Sequence, residues 1–178
     1  LPNTKNVRTS TANGIKRAAA LTSLPSRCDA PERMINIMKK TAVIYWSGTG
    51  NTEAMANAVA EGLRSAGADA ALLTADAVDA SALAELDAVA LGCPAMGAET
   101  LEEDVFEPMF SACKKTLAGK KVALFGSYGW GDGEWMRTWE EECRTAHIAL
   151  CCESVICCEA PGDIELEACR ELGRELAK

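Results

Sequence analysis

A single histidine, His147, serves all 178 residues, and aromatic side chains make up only 5% of them. General acid–base chemistry and histidine-activated nucleophiles therefore have little to work with. Nine cysteines are present, yet no two stand in a C-x-x-C spacing, which leaves zinc and iron–sulfur ligation unsupported and predicts no metal site. No apolar run approaches the roughly 18–20 residues that span a bilayer, so the sequence predicts a soluble protein with no membrane partner. The nucleoside-triphosphate loop G-x-x-x-x-G-K-[ST] is missing too. Cations are scarce over most of the chain: residues 38–178 hold twelve Lys/Arg against twenty-four Asp/Glu, a net charge of −12. That argues against nucleic acid as a partner, because phosphate contacts need cations. It favours a partner with a basic docking face, since opposed potentials speed encounter.

Residues 1–37 differ in kind. They hold six Lys/Arg against two Asp/Glu, lack sustained periodicity, and begin with Leu, whereas Met38-Lys39-Lys40-Thr41 resembles a natural start. An upstream extension, a processed targeting presequence and an extra segment all fit that composition. The sequence predicts disorder for 1–37 and a single domain for 38–178. The thiols read as small hydrophobes in a reducing cytoplasm. Cys151-Cys152 and Cys157-Cys158 fall in a strand-like segment, where neighbours point to opposite faces and a vicinal disulfide is disfavoured.

From Thr41 onward, apolar strands alternate with amphipathic helices. Strands are predicted at 41–46, 69–74, 87–92, 121–127 and 149–157. Helices are predicted at 52–66, near 102–117 and 133–147, and at 164–177, with a helical turn at 80–86. Near-continuous apolar strands separated by helices indicate an α/β fold, a five-stranded parallel sheet with helices on both faces. Its common doubly wound order is 2-1-3-4-5, with ligands held beyond the carboxyl ends of the strands. Trp135 and Trp139, spaced i, i+4, read as the core face of a helix.

The richest loop is Ser47-Gly48-Thr49-Gly50-Asn51-Thr52-Glu53, between the first strand and the first helix. Three hydroxyls, two glycines and an Asn sit where free backbone N–H groups and the helix dipole attract an anion. An ordinary capped turn needs one such residue, not six. No Lys or Arg is present, and Glu53 stands where a dinucleotide fingerprint would place its third glycine. Neutral donors suit a phosphate monoester that stays bound.

This segment, V-I-Y-W-S-G-T-G-N-T-E (Val43–Glu53), resembles the FMN phosphate loop of short-chain flavodoxins of anaerobic bacteria. The resemblance continues through Gly92-Cys93-Pro94-Ala95-Met96-Gly97, the acidic Glu99–Glu103 and the block Gly119–Trp135, and covers residues 38–178. It implies a flavodoxin-like fold and a low-potential one-electron carrier with non-covalently bound FMN, shuttling between neutral semiquinone and anionic hydroquinone. It also implies that Ser47, Gly48, Thr49, Gly50, Asn51 and Thr52 hold the phosphate. The loops Pro94-Ala95-Met96-Gly97-Ala98-Glu99 and Ser127-Tyr128-Gly129-Trp130 would flank the ring, with Met96 on its inner face and Trp130 on its outer one. The Gly97 carbonyl would turn to accept a hydrogen bond from flavin N5–H, Glu99 would bond the ring near N3, and Glu159 would border it. Ala98 and Pro94 depart from the acidic or small polar residues usual in the family. Implied partners are flavodoxin reductase, pyruvate–ferredoxin oxidoreductase, hydrogenase or nitrogenase, met by a cytoplasmic monomer.

Glu99, Glu102, Glu103, Asp132, Glu134 and Glu159 lie on loops at one end, with no cation close in sequence. Each carboxylate about 10 Å from an anionic reduced ring would cost roughly 0.4–1.7 kcal/mol. A quinone- or nitro-reducing FMN enzyme of the same fold is the nearest rival, but it needs a hydride-donor site that the minimal body lacks. A phosphoacceptor receiver domain would need acids where Ser47 and Cys93 stand.

Overall fold

The computed structural model describes residues 39–178. The expectation of disorder for residues 1–37 lies outside the described residues. Six strands and five α-helices follow in the order β1 (Lys40–Tyr45), α1 (Asn51–Ser65), β2 (Asp69–Thr74), α2 (Ala80–Ala84), β3 (Ala88–Gly92), α3 (Phe106–Leu117), β4 (Lys121–Tyr128), α4 (Glu134–Thr145), β5 (Ala149–Leu150), β6 (Val155–Cys158) and α5 (Asp163–Ala177). The strands form one parallel sheet in the order β2-β1-β3-β4-β5, with β6 also paired to β4. This is the predicted doubly wound, flavodoxin-like order, with a sixth strand added.

Side-chain alternation divides the core into two layers. Ala42, Ile44, Val89, Leu91, Val122 and Leu124 face α3 and α4, meeting Phe106, Phe110, Trp135 and Trp139. Val43, Tyr45, Ala88, Ala90, Ala123 and Phe125 face α1 and α5, meeting Met55, Val59, Leu63, Leu172 and Leu176. Trp135 and Trp139 are both buried, as their spacing predicts, and Phe106 and Phe110 meet Trp139 edge-on at 5.3 and 5.7 Å. The opposite layer is rich in alanine and lets its helices approach closely. A Cβ added to Gly62 would lie 2.0 Å from the Arg170 carbonyl oxygen, and one on Gly173 would lie 2.2 Å from that of Val59.

Two predicted elements need correction. The helix expected from about 102 begins at Phe106, because Glu102 is spent on capping it. Its buried carboxylate accepts hydrogen bonds from the N–H groups of Asp104 (3.1 Å), Val105 (2.9 Å) and Phe106 (2.7 Å). Charge-assisted bonds to otherwise orphaned donors are strong. Glu102→Ala is expected to cost about 2–3 kcal/mol, and Glu102→Gln less, read as a lower denaturant midpoint.

The strand predicted at 149–157 is also broken. From Val122 to Phe125 β4 advances three residues, while its partner advances five, from Leu150 to Val155. Two extra residues are therefore extruded between β5 and β6, as a bulge on the edge of the sheet. Cys151 still donates its N–H to the Val122 carbonyl at 2.9 Å, and pairing resumes at Val155. The cysteine pair 151–152 thus lies in the bulge and not in a strand. Its sulfurs sit 3.6 Å apart, which corrects the expectation that they face opposite sides.

Candidate functional site

β1 and β3 are neighbours whose connections leave in opposite directions, so their carboxyl ends open a crevice. Trp46 donates its N–H to the Gly92 carbonyl at 3.0 Å, holding the two exits together. Beyond it the chain wraps through Ser47–Gly50, and Gly50 adopts φ 90° at the start of α1. Ser47 Oγ accepts the Gly50 N–H at 3.1 Å, which closes the turn. No side chain caps α1, and among the described residues the N–H groups of Gly48, Thr49, Asn51, Thr52 and Glu53 have no hydrogen-bond partner. A helix start with that many free donors is an anion site in waiting.

The second wall follows β3. Ala95 donates to the Ser127 carbonyl at 2.9 Å, and Met96 and Thr100 exchange backbone hydrogen bonds of 2.8 and 2.9 Å. Residues 96–100 therefore form a tight turn with Gly97 and Glu99 at φ 49° and 55°. A left-handed glutamate is strained, and its carboxylate compensates. Glu99 Oε1 accepts from the N–H groups of Gly133 and Glu134, both at 3.0 Å, at the start of α4. The third wall follows β4, where Trp130 stands 63% exposed in the turn after Tyr128. Glu159, at φ 61°, donates its N–H to the Tyr128 carbonyl at 2.7 Å and turns the chain past β6. His147 shares the left-handed conformation but only terminates α4, donating its N–H to Arg144 at 3.1 Å.

These walls enclose a cavity of about 500 Å³ lined by Trp46, Gly48, Thr49, Asn51, Pro94, Ala95, Met96, Ser127, Tyr128, Gly129, Glu159 and Ala160. That volume lies within the range of cofactor sites. Ten of the predicted site residues meet there. Trp46 and Ala160 were missed, although each adjoins a motif residue. Ser47 lines a separate hollow with Tyr45 and Glu53. There Tyr45 donates to Glu53 at 3.4 Å, and burial, then the Glu53 carboxylate, hold its hydroxyl above its usual range. Thr52 is 1% exposed, and its hydroxyl shares a 3.0 Å hydrogen bond with that of Ser127, tying α1 to β4. Gly50, Gly97, Ala98, Glu99 and Trp130 lie around the cavity's loops without lining it. Met96 and Trp130 are exposed apolar side chains on the two loops that flank the opening.

The acidic end differs from the sequence expectation in two ways. Glu102 is buried under α3, and α4 brings a cation, Arg137, onto Asp132 at 2.7 Å. Asp132, first as its hydrogen-bond partner, holds Arg137 above its usual range, with Glu134 and Glu99 adding to the effect. Cys93, beneath the second wall, is a buried thiol pushed up to about 12 by its burial.

A family model described as flavodoxin matches residues 43–173. The chain belongs to the flavodoxin family. It is 45% identical over 136 residues to a flavodoxin of Megasphaera elsdenii, covering 76% of this chain and 97% of that one. A flavodoxin of Clostridium beijerinckii is 43% identical over 135 residues, with the same coverages. The solution structure of the two-electron reduced Megasphaera elsdenii flavodoxin superposes with a TM-score of 0.71 at 43% identity, over 77% of this chain and 98% of the other. Like other flavodoxins, the chain binds FMN and carries electrons between redox proteins. Among the described residues no helix is long and apolar enough to cross a membrane.

Proposed function

We propose that this flavodoxin is a low-potential one-electron carrier, working between the one-electron and two-electron reduced levels of FMN. The observation that carries the proposal is the uncapped start of α1, opening on the cavity of about 500 Å³ between two loops with exposed apolar side chains. FMN supplies the redox chemistry when bound. The free N–H groups of Gly48, Thr49, Asn51, Thr52 and Glu53 would hold its phosphate, helped by the Thr49 and Asn51 side chains, while Ser47 and Gly50 shape the turn through their own hydrogen bond. Thr52 and Ser127 act through each other by clamping that turn to β4. Met96 and Trp130 cover the two faces of the ring, and Pro94, Ala95, Tyr128, Gly129 and Glu159 form the walls between them. Glu99 orients the 96–100 turn through α4. Gly97, at φ 49°, has the backbone freedom to turn, and among the described residues no hydrogen bond holds its carbonyl, which would accept one from flavin N5–H.

The body's charge of −12 supports partners with basic faces. We place the chain as a cytoplasmic monomer serving a flavodoxin reductase, a pyruvate–ferredoxin oxidoreductase, or a hydrogenase or nitrogenase, with no substrate of its own. Arg137 moderates the field that favours low potential, so the acids at this end lower it by less than their number suggests.

Titration of the purified full chain with FMN, followed by its visible spectrum and flavin fluorescence, tests the reading. One FMN per chain should bind with quenched fluorescence, and the loaded protein should reduce in two resolved one-electron steps without oxidising NAD(P)H unaided. Trp130→Ala should raise the FMN dissociation constant about tenfold and restore part of the fluorescence. Unchanged affinity would remove Trp130 from the ring site, and rapid unaided NAD(P)H oxidation would make the chain an enzyme.

A further inference from the structure

The bulge between β5 and β6 lies on the β4 edge beside Ala123 and Leu124, four to five residues or about 13–17 Å before the carboxyl end where the cavity opens. Its two cysteines are both half-buried against the α1/α5 layer. In a regular strand their side chains would diverge. The two extra residues break the alternation and bring the sulfurs to 3.6 Å on the same side. No other pair of the described cysteines is recorded in such contact, and Cys93, Cys113, Cys143, Cys157 and Cys169 are buried.

We propose that Cys151 and Cys152 form a reversible thiol–disulfide exchange site, taking low-molecular-weight disulfides as oxidant. The Cys151 thiolate attacks one sulfur of the disulfide RSSR, whose S–S bond breaks and releases RS⁻ as a mixed disulfide forms. Cys152, having lost its proton, attacks the Cys151 sulfur, and the second RS⁻ leaves. Two electrons pass from the protein dithiol to RSSR, and the two protons go to the two released thiols. The roles follow from the local chemistry. The sulfurs share one contact in which either can donate; with Cys152 donating, that contact and the charge of Lys121 hold the Cys151 thiol below its usual range, and the same contact pushes Cys152 up. The thiol more readily ionised is the better attacker. Burial instead pushes Cys93, Cys143 and Cys169 up to about 12 and keeps them out of the exchange.

Adjacency also sets the character of the product. Neighbouring Cα atoms stand about 3.8 Å apart across a trans peptide, inside the roughly 4.4 Å lower bound of ordinary disulfides. The bond that forms is therefore strained and easily reduced, which suits a switchable site and not a structural cross-link.

The full chain, incubated with oxidised glutathione and mapped by peptide mass, decides the matter. The expected result is a 151–152 peptide lighter by two hydrogens, with no retained glutathione, restored by dithiothreitol. Cys152→Ser should trap glutathione on Cys151, and Cys151→Ser should lower the rate at this peptide about tenfold or more. A wild-type 151–152 peptide that keeps both hydrogens while exposed Cys158 is labelled overturns the proposal. So does equal labelling of the two variants.

Discussion

Thr49→Asp is expected to weaken FMN binding by about 30- to 200-fold while leaving the fold intact. Thr49 is exposed on the loop and lines the cavity, so the substitution disturbs no packing. It introduces a negative charge into a cradle built only of neutral donors. At about 5 Å and an effective dielectric near 40, a carboxylate and a doubly charged phosphate repel by about 3 kcal/mol. Screening at physiological salt takes away part of that. Thr49→Asn adds no charge and should stay within a few-fold of the native affinity. Fluorescence titration with FMN, repeated at low and high salt, checks both the size and the origin of the effect. A Thr49→Asp loss that ignores salt would point to lost shape and not to repulsion.

Gly173→Ala is expected to cost about 2–4 kcal/mol, a fall in Tm of roughly 4–16 °C, without touching the cavity directly. The added methyl would stand 2.2 Å from the Val59 carbonyl oxygen and 2.8 Å from the Leu63 nitrogen. Both are backbone atoms of α1, so no side chain can swing away. α5 must lift, and the layer formed by Met55, Val59, Leu63, Leu172 and Leu176 opens with it. Gly67→Ala offers a contrast: nothing lies within 4 Å of its Cβ, and its cost is that of φ 84° alone. Thermal denaturation of the two variants with FMN bound separates crowding from conformation.

The parts of this fold that were legible in the sequence are those governed by local pattern. β1, β3 and β4 read as continuous apolar runs because both of their faces are covered. The 47–53 loop stands out because no ordinary turn needs so many small and hydroxylated residues together. What escaped depends on contacts between distant segments. Residues 102–105 look like helix by composition, yet a carboxylate that folds onto the three following N–H groups delays α3 to Phe106. Cys151 and Cys152 carry strand-like side chains, and only the register against β4 shows that two residues are surplus. Arg137 stands only five residues after Asp132 and three after Glu134, so this cation was within reach of the sequence; the first turn of α4 lays it on Asp132. Glu99 was expected to bond the ring near N3, but its carboxylate is engaged with the start of α4, a role that nearby sequence does not announce.

The grip of Glu99 on the first residues of α4 has a consequence for how the cofactor enters. One carboxylate spans the two arms that rise on either side of the opening, and Gly131 packs so closely on it that a methyl there would meet the carboxylate carbon at 2.4 Å. The arms are thereby joined into one stiff bracket before any guest arrives. Little ordering entropy then remains to be lost on docking.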